Sequence, residues 1–200
     1  MNYSKDHEAV IERLNRAVEI IEHSPEVVPL IPEVRTNIAF ALPDAKTPND
    51  VAAVDGRITV VNNLPKAAGP VRFGASDHLA RLIIELRKYD RQIRSALNFR
   101  YNEKIHQFVA EWARQRGKKI GIIDRTKEPS KIIGKDRMSA PWKVQAILSS
   151  TNGVVPEIVY ETKGWGKEPM FLFTGRDPVA LAEQLMKIAR DFVQTAQSSI

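Results

Sequence analysis

The stretch SDHLARLIIELRKYDRQIRSALNFRY, residues 76–101, contains two structural patterns in succession. Its first half begins at Ser76 and repeats leucine and isoleucine at three- and four-residue spacing from Leu79 to Leu86, which is typical of an amphipathic helix. Its second half ends in an apolar segment at 96–101, which predicts a β-strand. A helix that leads directly into a strand is the building unit of an α/β protein.

The same alternation of helix and strand patterns continues on both sides of this stretch. Further helices are predicted at 5–23, 103–116, 142–150 and 179–194, and further strands at 36–42, 57–61, 119–124, 157–161 and 169–173. The intervening segments 62–74 and 129–141 carry proline and glycine and are predicted to be irregular. Strands 157–161 and 169–173 are too close for a crossover helix, so the sequence predicts a three-layer α/β/α fold with a mixed sheet.

The N-terminal helix has an apolar stripe from Val10 to Ile21, with Ser4 as its predicted cap and Ser24-Pro25 as its end. Such a stripe must pack on the main domain or on a second subunit, and the second case predicts a homodimer. The predicted organisation is a helix and lead-in at 1–30 followed by one globular unit at 31–200.

Composition narrows the function classes. The chain has 200 residues, no cysteine, a formal charge of +6 and a pI near 9.6. The absence of cysteine excludes disulfide scaffolds and thiolate sites. The sequence also contains no zinc-ligand, hydrolase or dinucleotide-binding motif. No apolar run is long enough for a membrane span, which predicts a soluble, cytoplasmic protein. Basic residues are interleaved with acidic ones, so the expected partners are small phosphorylated molecules rather than nucleic acid or membrane.

The segment Arg72-Phe73-Gly74-Ala75-Ser76-Asp77-His78 is a candidate phosphate site. It leads from a loop into a helix, where free backbone N–H groups and the helix dipole favour an anion. Its candidates are Arg72, Gly74, Ala75, Ser76 and His78. The alternative is that Ser76 is only a cap and His78 only a surface residue, and the bare pattern favours this alternative.

Polar side chains also follow several predicted strands, where open α/β sheets build their sites. Arg57 opens one strand, Asn98 and Arg100 end another, and Asp124-Arg125 follows a third. Asp124 is either a ligand of a metal-phosphate group or a turn former, and the sequence leaves both open.

The loop Gly164-Trp165-Gly166-Lys167-Glu168 is compact and unusual. Glycines allow close approach of the backbone to a phosphate, tryptophan offers an aromatic wall, and Lys167 offers a point charge. The spacing does not match a Walker A loop.

Taken together, these segments resemble the ThiN family of thiamine-phosphate synthases, from about residue 32 to residue 189. The resemblance rests on an ordered set of short motifs rather than on any one of them. They are Ile31-Pro32-Glu33-Val34, Thr36-Asn37-Ile38-Ala39, Ala41-Leu42-Pro43, Val51-Ala52, Gly56-Arg57-Ile58, Phe73-Gly74-Ala75-Ser76-x-His78, Lys88-Tyr89-Asp90, Asn98-x-Arg100-Tyr101, Asp124-Arg125, Pro156-Glu157-Ile158, Gly166-Lys167-Glu168-Pro169-Met170 and Gly175-Arg176-Asp177-Pro178.

This resemblance implies a fold similar to class II aldolase-like domains, in a stand-alone protein or in the C-terminal domain of a pyrimidine kinase fusion. It implies a transferase that joins hydroxymethylpyrimidine diphosphate to hydroxyethylthiazole phosphate and releases pyrophosphate. The family's catalytic arginine and histidine fall on Arg57 and His78. The resemblance also adds Asn37 and Glu168 to the substrate-binding candidates.

We expect Arg57 to bind the diphosphate and His78 to donate a proton to its departing oxygen. Lys167 and Arg100 are candidates for the remaining phosphate. Magnesium is expected with the diphosphate, with no assigned protein ligands. The alternative is a non-catalytic domain that senses thiamine phosphate in a transcriptional regulator; the enzyme is favoured because Arg57, His78 and the leading helix are all present.

Overall fold

Helices and strands account for most of residues 4–132 and 136–197, which are the part of the chain that the computed structural model describes. In chain order the strands are β1 Ile38–Ala41, β2 Val51–Val54, β3 Ile58–Val61, β4 Leu64–Ala67, β5 Val71–Phe73, β6 Ser95–Arg100, β7 Ile120–Ile123, β8 Ile158–Glu161 and β9 Met170–Gly175. The α-helices are α1 Lys5–Glu22, α2 Asp77–Leu86, α3 Glu103–Gln115, α4 Asp136–Ser150 and α5 Pro178–Gln197.

The central sheet has seven strands in the order β5-β2-β1-β6-β9-β8-β7, and β3 and β4 form a separate two-stranded ribbon. Strands β7 and β8 are parallel, whereas the other neighbours in the central sheet are antiparallel. The antiparallel pairing of β8 with β9 confirms the prediction that these two strands are joined without a crossover. The predicted mixed sheet is therefore confirmed.

Helices cover both faces of this sheet. Along β6, Leu97 and Phe99 pack into a core with α1, α3 and α5, whereas Ala96 packs into a second core with α2 and α4. This alternation follows from the two-residue period of a strand. The predicted three-layer α/β/α architecture is confirmed. The same alternation places Asn98 on the face of the sheet that α2 covers.

Helix α1 uses its apolar stripe within its own chain. Val10, Leu14 and Ile21 are buried in the same core as α5 and the sheet. Arg13 donates to Asp177, just before α5, at 2.8 Å. Of the two predicted destinations for this stripe, the structure shows the intramolecular one. Ser4 stands at the cap position, although its hydroxyl bonds to the His7 ring rather than to a helix N–H group.

The prediction of a loop over residues 62–74 was wrong, because this segment contains β4 and β5. Asn62 and Asn63 have positive φ angles of 51° and 59° and form the tight turn between β3 and β4. Asparagine tolerates this conformation, which suits a two-residue hairpin. Pro65 lies inside β4 opposite Val60, where the ribbon has free edges and a proline is tolerated.

Two further elements differ from the sequence prediction. Strand β2 was not predicted, because only its two valines favour a strand and the two alanines between them do not. Helix α4 begins at Asp136 rather than at 142, so Pro141 lies inside the helix and does not precede it. The rest of the predicted irregular stretch includes residues 133–135, which lie outside the described residues.

Candidate active site

A cleft of about 210 Å³ opens at the end of the sheet where β6 and β8 finish and β1 and β9 begin. The loops after β2 and β7 and the first turn of α2 complete its wall. Most of its lining residues have polar or charged side chains, and they come from segments across the whole sequence. The lining residues are Val34, Asn37, Arg57, Ser76, His78, Leu79, Asn98, Arg125, Glu161, Gly166, Lys167, Glu168 and Met170.

Arg57 reaches the cleft from a strained turn between β2 and β3. Gly56 and Arg57 both have positive φ angles, 73° and 69°. This region is natural for glycine and costs an arginine about 1 kcal/mol. Nη1 of Arg57 donates to the carbonyl oxygen of Val34 at 2.5 Å, which fixes the guanidinium at the cleft. No described carboxylate lies within ion-pair distance of Arg57, so its charge is available to an anionic ligand.

His78 lies in the first turn of α2, half-buried against the cleft. The backbone turns into this helix through Gly74, whose φ is +73°. Ser76 caps the helix, with its hydroxyl accepting a hydrogen bond from the N–H of Leu79 at 3.4 Å. The capped helix start therefore holds His78 with the positive end of the helix dipole beside the cleft.

A buried ionic network forms the floor of the cleft. Nζ of Lys143 on α4 lies 3.0 Å from Oε2 of Glu161 and 3.1 Å from Nε2 of His78. Arg125 donates to the same Glu161 carboxylate at 2.5 Å and to Glu128 at 2.6 Å. The side chains of Lys143, Arg125 and Glu161 are 1%, 1% and 4% exposed. Two cations and two carboxylates thus balance each other away from solvent.

This network shifts the protonation equilibria of its members. Burial, together with the charges of Arg125 and Lys167, lowers the pKa of Lys143 to about 8, although Glu161 opposes the shift. Burial alone would raise the pKa of Glu161, but the charges of Lys143 and Arg125 outweigh it and the net pKa is lowered. Lys143 is therefore a buried group that exchanges a proton near neutral pH.

Asn37 and Asn98 hold the cleft end of the sheet together. Oδ1 of Asn98 accepts from the N–H of Asn37 at 2.8 Å, and its Nδ2 donates to the carbonyl of Arg35 at 3.0 Å. The Asn37 side chain bonds to both the N–H and the carbonyl of Val54. Backbone groups therefore use most of the hydrogen-bonding capacity of these two amides, which makes them supports for the cleft.

The loop Gly164-Trp165-Gly166-Lys167 forms the rim. Backbone hydrogen bonds between Gly164 and Lys167 close it into a tight turn, with Gly166 at a φ of +64°. Gly164 packs on the side chain of Arg125, where an added Cβ would meet carbon atoms at 3.4–3.5 Å. Trp165 is 86% exposed at the tip. The loop thus packs on Arg125 of the ionic network, and Gly166 and Lys167, which follow the exposed tryptophan, line the cleft.

The structure brings most of the sequence-predicted residues together. Those that line the cleft are Asn37, Arg57, Ser76, His78, Asn98, Arg125, Lys167 and Glu168. Those that do not line it are Arg72, Gly74, Ala75, Arg100 and Asp124. Arg72 forms a two-pronged pair with Asp55, and Asp124 accepts a hydrogen bond from the N–H of Thr126, which fits the turn-former alternative. The binding roles of all these residues remain predictions.

Lys143 and Glu161 were not predicted as site residues. Glu161 follows Val159 at the two-residue spacing of β8, so a carboxylate shares the buried face of the strand. Lys143 falls four residues before Ile147 and three after Ala140, on the apolar stripe of α4. A charged side chain on a buried stripe is the signal that identifies such residues.

The described residues were searched for a metal site and for a membrane-spanning helix. Among residues 4–132 and 136–197, no group of three or more His, Asp or Glu side chains is placed to hold a metal ion. In the same part of the chain, no helix is long and apolar enough to cross a membrane.

Comparisons with known proteins agree on one family. A family model described as thiamine-phosphate synthase ThiN matches residues 13–187. The thiamine-phosphate synthase ThiN of Methanothermobacter thermautotrophicus is 38% identical over 182 residues, which span 91% of this chain and 93% of that protein. A crystal structure of the C-terminal domain of phosphomethylpyrimidine kinase is 39% identical, with a TM-score of 0.83, and the match covers 90% of this chain and 98% of that domain.

A more distant likeness concerns the fold alone. An aldolase II superfamily protein from Pseudomonas syringae has a TM-score of 0.51 at 10% identity, covering 98% of this chain and 79% of that protein. This match confirms the predicted similarity to class II aldolase-like folds.

Proposed function

The chain belongs to the ThiN family of thiamine-phosphate synthases, and we propose that its cleft carries out the condensation of hydroxymethylpyrimidine diphosphate with hydroxyethylthiazole phosphate. The observation that carries this proposal is the convergence of Arg57, His78 and Lys167 on one cleft from three separate segments of the chain. Cationic and hydrogen-bonding groups gathered in this way suit two phosphorylated substrates.

The reaction needs stabilisation of a leaving group. The bond between the pyrimidine methylene carbon and the diphosphate oxygen breaks, and its electron pair leaves with the diphosphate. The lone pair of the thiazole nitrogen then forms the new bond to the methylene carbon. Fixed positive charge and hydrogen-bond donors at the departing oxygen lower the barrier to this step.

Arg57 is assigned to the diphosphate. Its bond to the Val34 carbonyl uses one N–H group of a guanidinium that has five, so the others remain for phosphate oxygens. A guanidinium held in place by the backbone loses little freedom when the substrate binds.

His78 is assigned to the departing oxygen as a proton donor. The N-terminus of α2 adds the partial positive charge of its unpaired N–H groups, with Ser76, Ala75 and Gly74 at the turn. An anion bound at this corner is stabilised by the helix and receives a proton from the imidazole in the same place.

Lys167 and the surrounding rim are assigned to the thiazole phosphate. Lys167 lines the cleft, and Trp165 stands beside it at the loop tip. The indole supplies a face on which a heteroaromatic ring stacks, and the ammonium supplies charge for its phosphate. Arg100, at the end of β6, is a second cation for the same phosphate.

Magnesium is assigned to the diphosphate rather than to a protein cage. Glu161 in the cleft is committed to Arg125 and Lys143, and Glu168 accepts a hydrogen bond from the N–H of Val34 at 3.3 Å. A magnesium ion held mainly by the substrate would therefore need few protein ligands in this cleft. When bound, it would neutralise charge on the diphosphate, while Arg57 and His78 orient the diphosphate.

The test is a synthase assay with each substrate omitted in turn, followed by chromatography of thiamine phosphate and by release of pyrophosphate. The proposal predicts one pyrophosphate per thiamine phosphate, dependent on both substrates and on magnesium. Absence of turnover, together with micromolar binding of thiamine phosphate measured by calorimetry, would replace the enzyme with the sensor alternative.

A further inference from the structure

Lys143 is a buried ammonium in direct contact with the imidazole of His78. Among the described residues, three elements besides its own helix face it: α2 through His78, β8 through Glu161, and the segment after β7 through Arg125. Lys167 of the rim loop adds a more distant positive charge. Glu161 is also paired with Arg125, and Arg125 in turn pairs with Glu128, so a second cation completes the charge balance of the network. Charge balance explains a second cation, but it does not explain why that cation is a lysine in contact with His78.

The contact determines which nitrogen of His78 carries a proton. An ammonium has three donors and no acceptor. With Nζ of Lys143 3.1 Å from Nε2 of His78, the charged lysine donates and Nε2 accepts. The ring is then neutral and carries its single proton on Nδ1. A lysine that only balanced charge would have no reason to contact this nitrogen.

We propose that Lys143 is a positioning residue that holds His78 in its Nδ1–H form and replaces the proton that His78 gives to the departing diphosphate. This inference rests on the proposed function and deepens it. As the C–O bond breaks and its electron pair moves to the diphosphate oxygen, the Nδ1 proton passes to that oxygen. A proton of Lys143 passes to Nε2 in the same step. His78 ends neutral with its proton on Nε2, and Lys143 ends as a neutral amine.

This assignment explains why the network contains a lysine and not a second arginine. A guanidinium keeps its proton at any accessible pH, whereas the pKa of Lys143 is about 8. Arg125 supplies permanent charge to Glu161, and Lys143 supplies a proton that can leave. The starting state is regenerated after product release, when Nδ1 of His78, which lines the cleft, takes up a proton and the Nε2 proton returns to Lys143.

The first test is independent of catalysis. Nitrogen-15 NMR of the imidazole of His78 at pH 7 is expected to show a protonated Nδ1 and an unprotonated Nε2 in the unliganded protein. In Lys143→Met the Nε2–H form is expected to become populated. A wild-type ring protonated on Nε2, or on both nitrogens, would overturn the proposal.

The second test compares turnover. Lys143→Met is expected to lower kcat about 100-fold or more, with KM within threefold of wild type, and to abolish the fall in kcat at alkaline pH. Lys143→Arg keeps the charge but cannot release a proton, so it is expected to keep the Nδ1–H form and still lose most of kcat. A kcat within threefold of wild type in either variant, or an unchanged alkaline limb in Lys143→Met, would contradict the relay.

A double variant keeps the test decisive if Lys143→Met does not fold. Lys143→Met with Glu161→Gln removes one positive and one negative charge and leaves the Arg125–Glu128 pair in place. The same loss of kcat is expected from it. If wild type makes no thiamine phosphate, the proposed function fails, whereas an active wild type with an equally active double variant refutes only the role of Lys143.

Discussion

Nε of Arg125 lies 2.5 Å from Oε1 of Glu161, and both side chains are almost fully buried beneath the cleft. The same carboxylate also accepts from Lys143. Glu161→Gln removes the negative charge that these two cations share. We expect the free energy of unfolding to fall by about 3–5 kcal/mol, since two buried cations lose their common partner. Urea denaturation followed by circular dichroism measures this change.

The glutamate directly before β8 provides a matched control. Glu157 is 56% exposed and pairs with Lys118 at the surface. Glu157→Gln should therefore change the free energy of unfolding by about 1 kcal/mol or less. Equal losses in the two variants would mean that the buried network does not stabilise the fold more than a surface pair does.

Lys143 makes stability depend on alkaline pH. Its pKa is about 8 in the folded protein against an ordinary 10.5, with burial as the main cause. Between these values the unfolded chain binds a proton that the folded chain does not. The free energy of unfolding should therefore rise with pH from about 8 to about 10.5, by roughly 3 kcal/mol at most.

Urea titrations at pH 8, 9 and 10 test this dependence against Lys143→Met. The variant lacks the group, so its stability should rise less over the same range. Parallel curves for the two proteins would show that Lys143 titrates normally in the fold.

Trp165 should matter for binding and not for stability. The side chain is 86% exposed, so Trp165→Ala should leave the urea midpoint unchanged. If the indole stacks on a substrate ring, its loss should weaken binding of thiazole phosphate about fivefold, corresponding to about 1 kcal/mol. Calorimetry measures the affinity. Trp165→Phe keeps an aromatic face and should retain most of it, and equal affinity in Trp165→Ala would exclude stacking.

Replacing Arg57 should lower activity strongly and change stability little. Its φ of +69° favours glycine, so Arg57→Gly should unfold within about 1 kcal/mol of wild type. The same change removes the guanidinium from the cleft and should lower kcat/KM by about 100-fold or more. Arg16 is an exposed arginine on α1 that does not line the cleft, and Arg16→Ala should keep wild-type activity. Undiminished turnover in Arg57→Gly would remove its assigned role.

Sequence periodicity located each described α-helix, although it placed the start of α4 six residues too late, and it located six strands: β1, β3, β6, β7, β8 and β9. The apolar spacing of α2 and the capping Ser76 predicted that helix because local propensity and tertiary packing agree there. Strand β2 was not predicted because two alanines between two valines show no clear strand pattern. These small residues pack closely within the sheet. The hairpin of β3 and β4 was not predicted because Pro65 argues against a strand. A proline is tolerated there only because β4 is an edge strand, and the sequence does not show this.

The sequence predicted the site residues whose side chains have an obvious chemical role and lie in loops or at the ends of elements. Arg57, His78 and Lys167 stand in loops or at helix starts, and they line the cleft. Lys143 and Glu161 are 18 residues apart in sequence and lie on different elements, and only the packing of α4 on the sheet shows that they meet. Arg72 was predicted from its place beside Gly74, but strand pairing turns it toward Asp55.

The account depends most directly on His78 and Arg57 acting on the departing diphosphate. Single-turnover measurements of thiamine phosphate formation and pyrophosphate release, with wild type, His78→Ala and Arg57→Ala at saturating substrates, test this claim. We expect wild type to form both products at equal rates and each variant to lose about 100-fold or more in rate. Wild-type rates in both variants, or binding of thiamine phosphate without any turnover by wild type, would contradict the account.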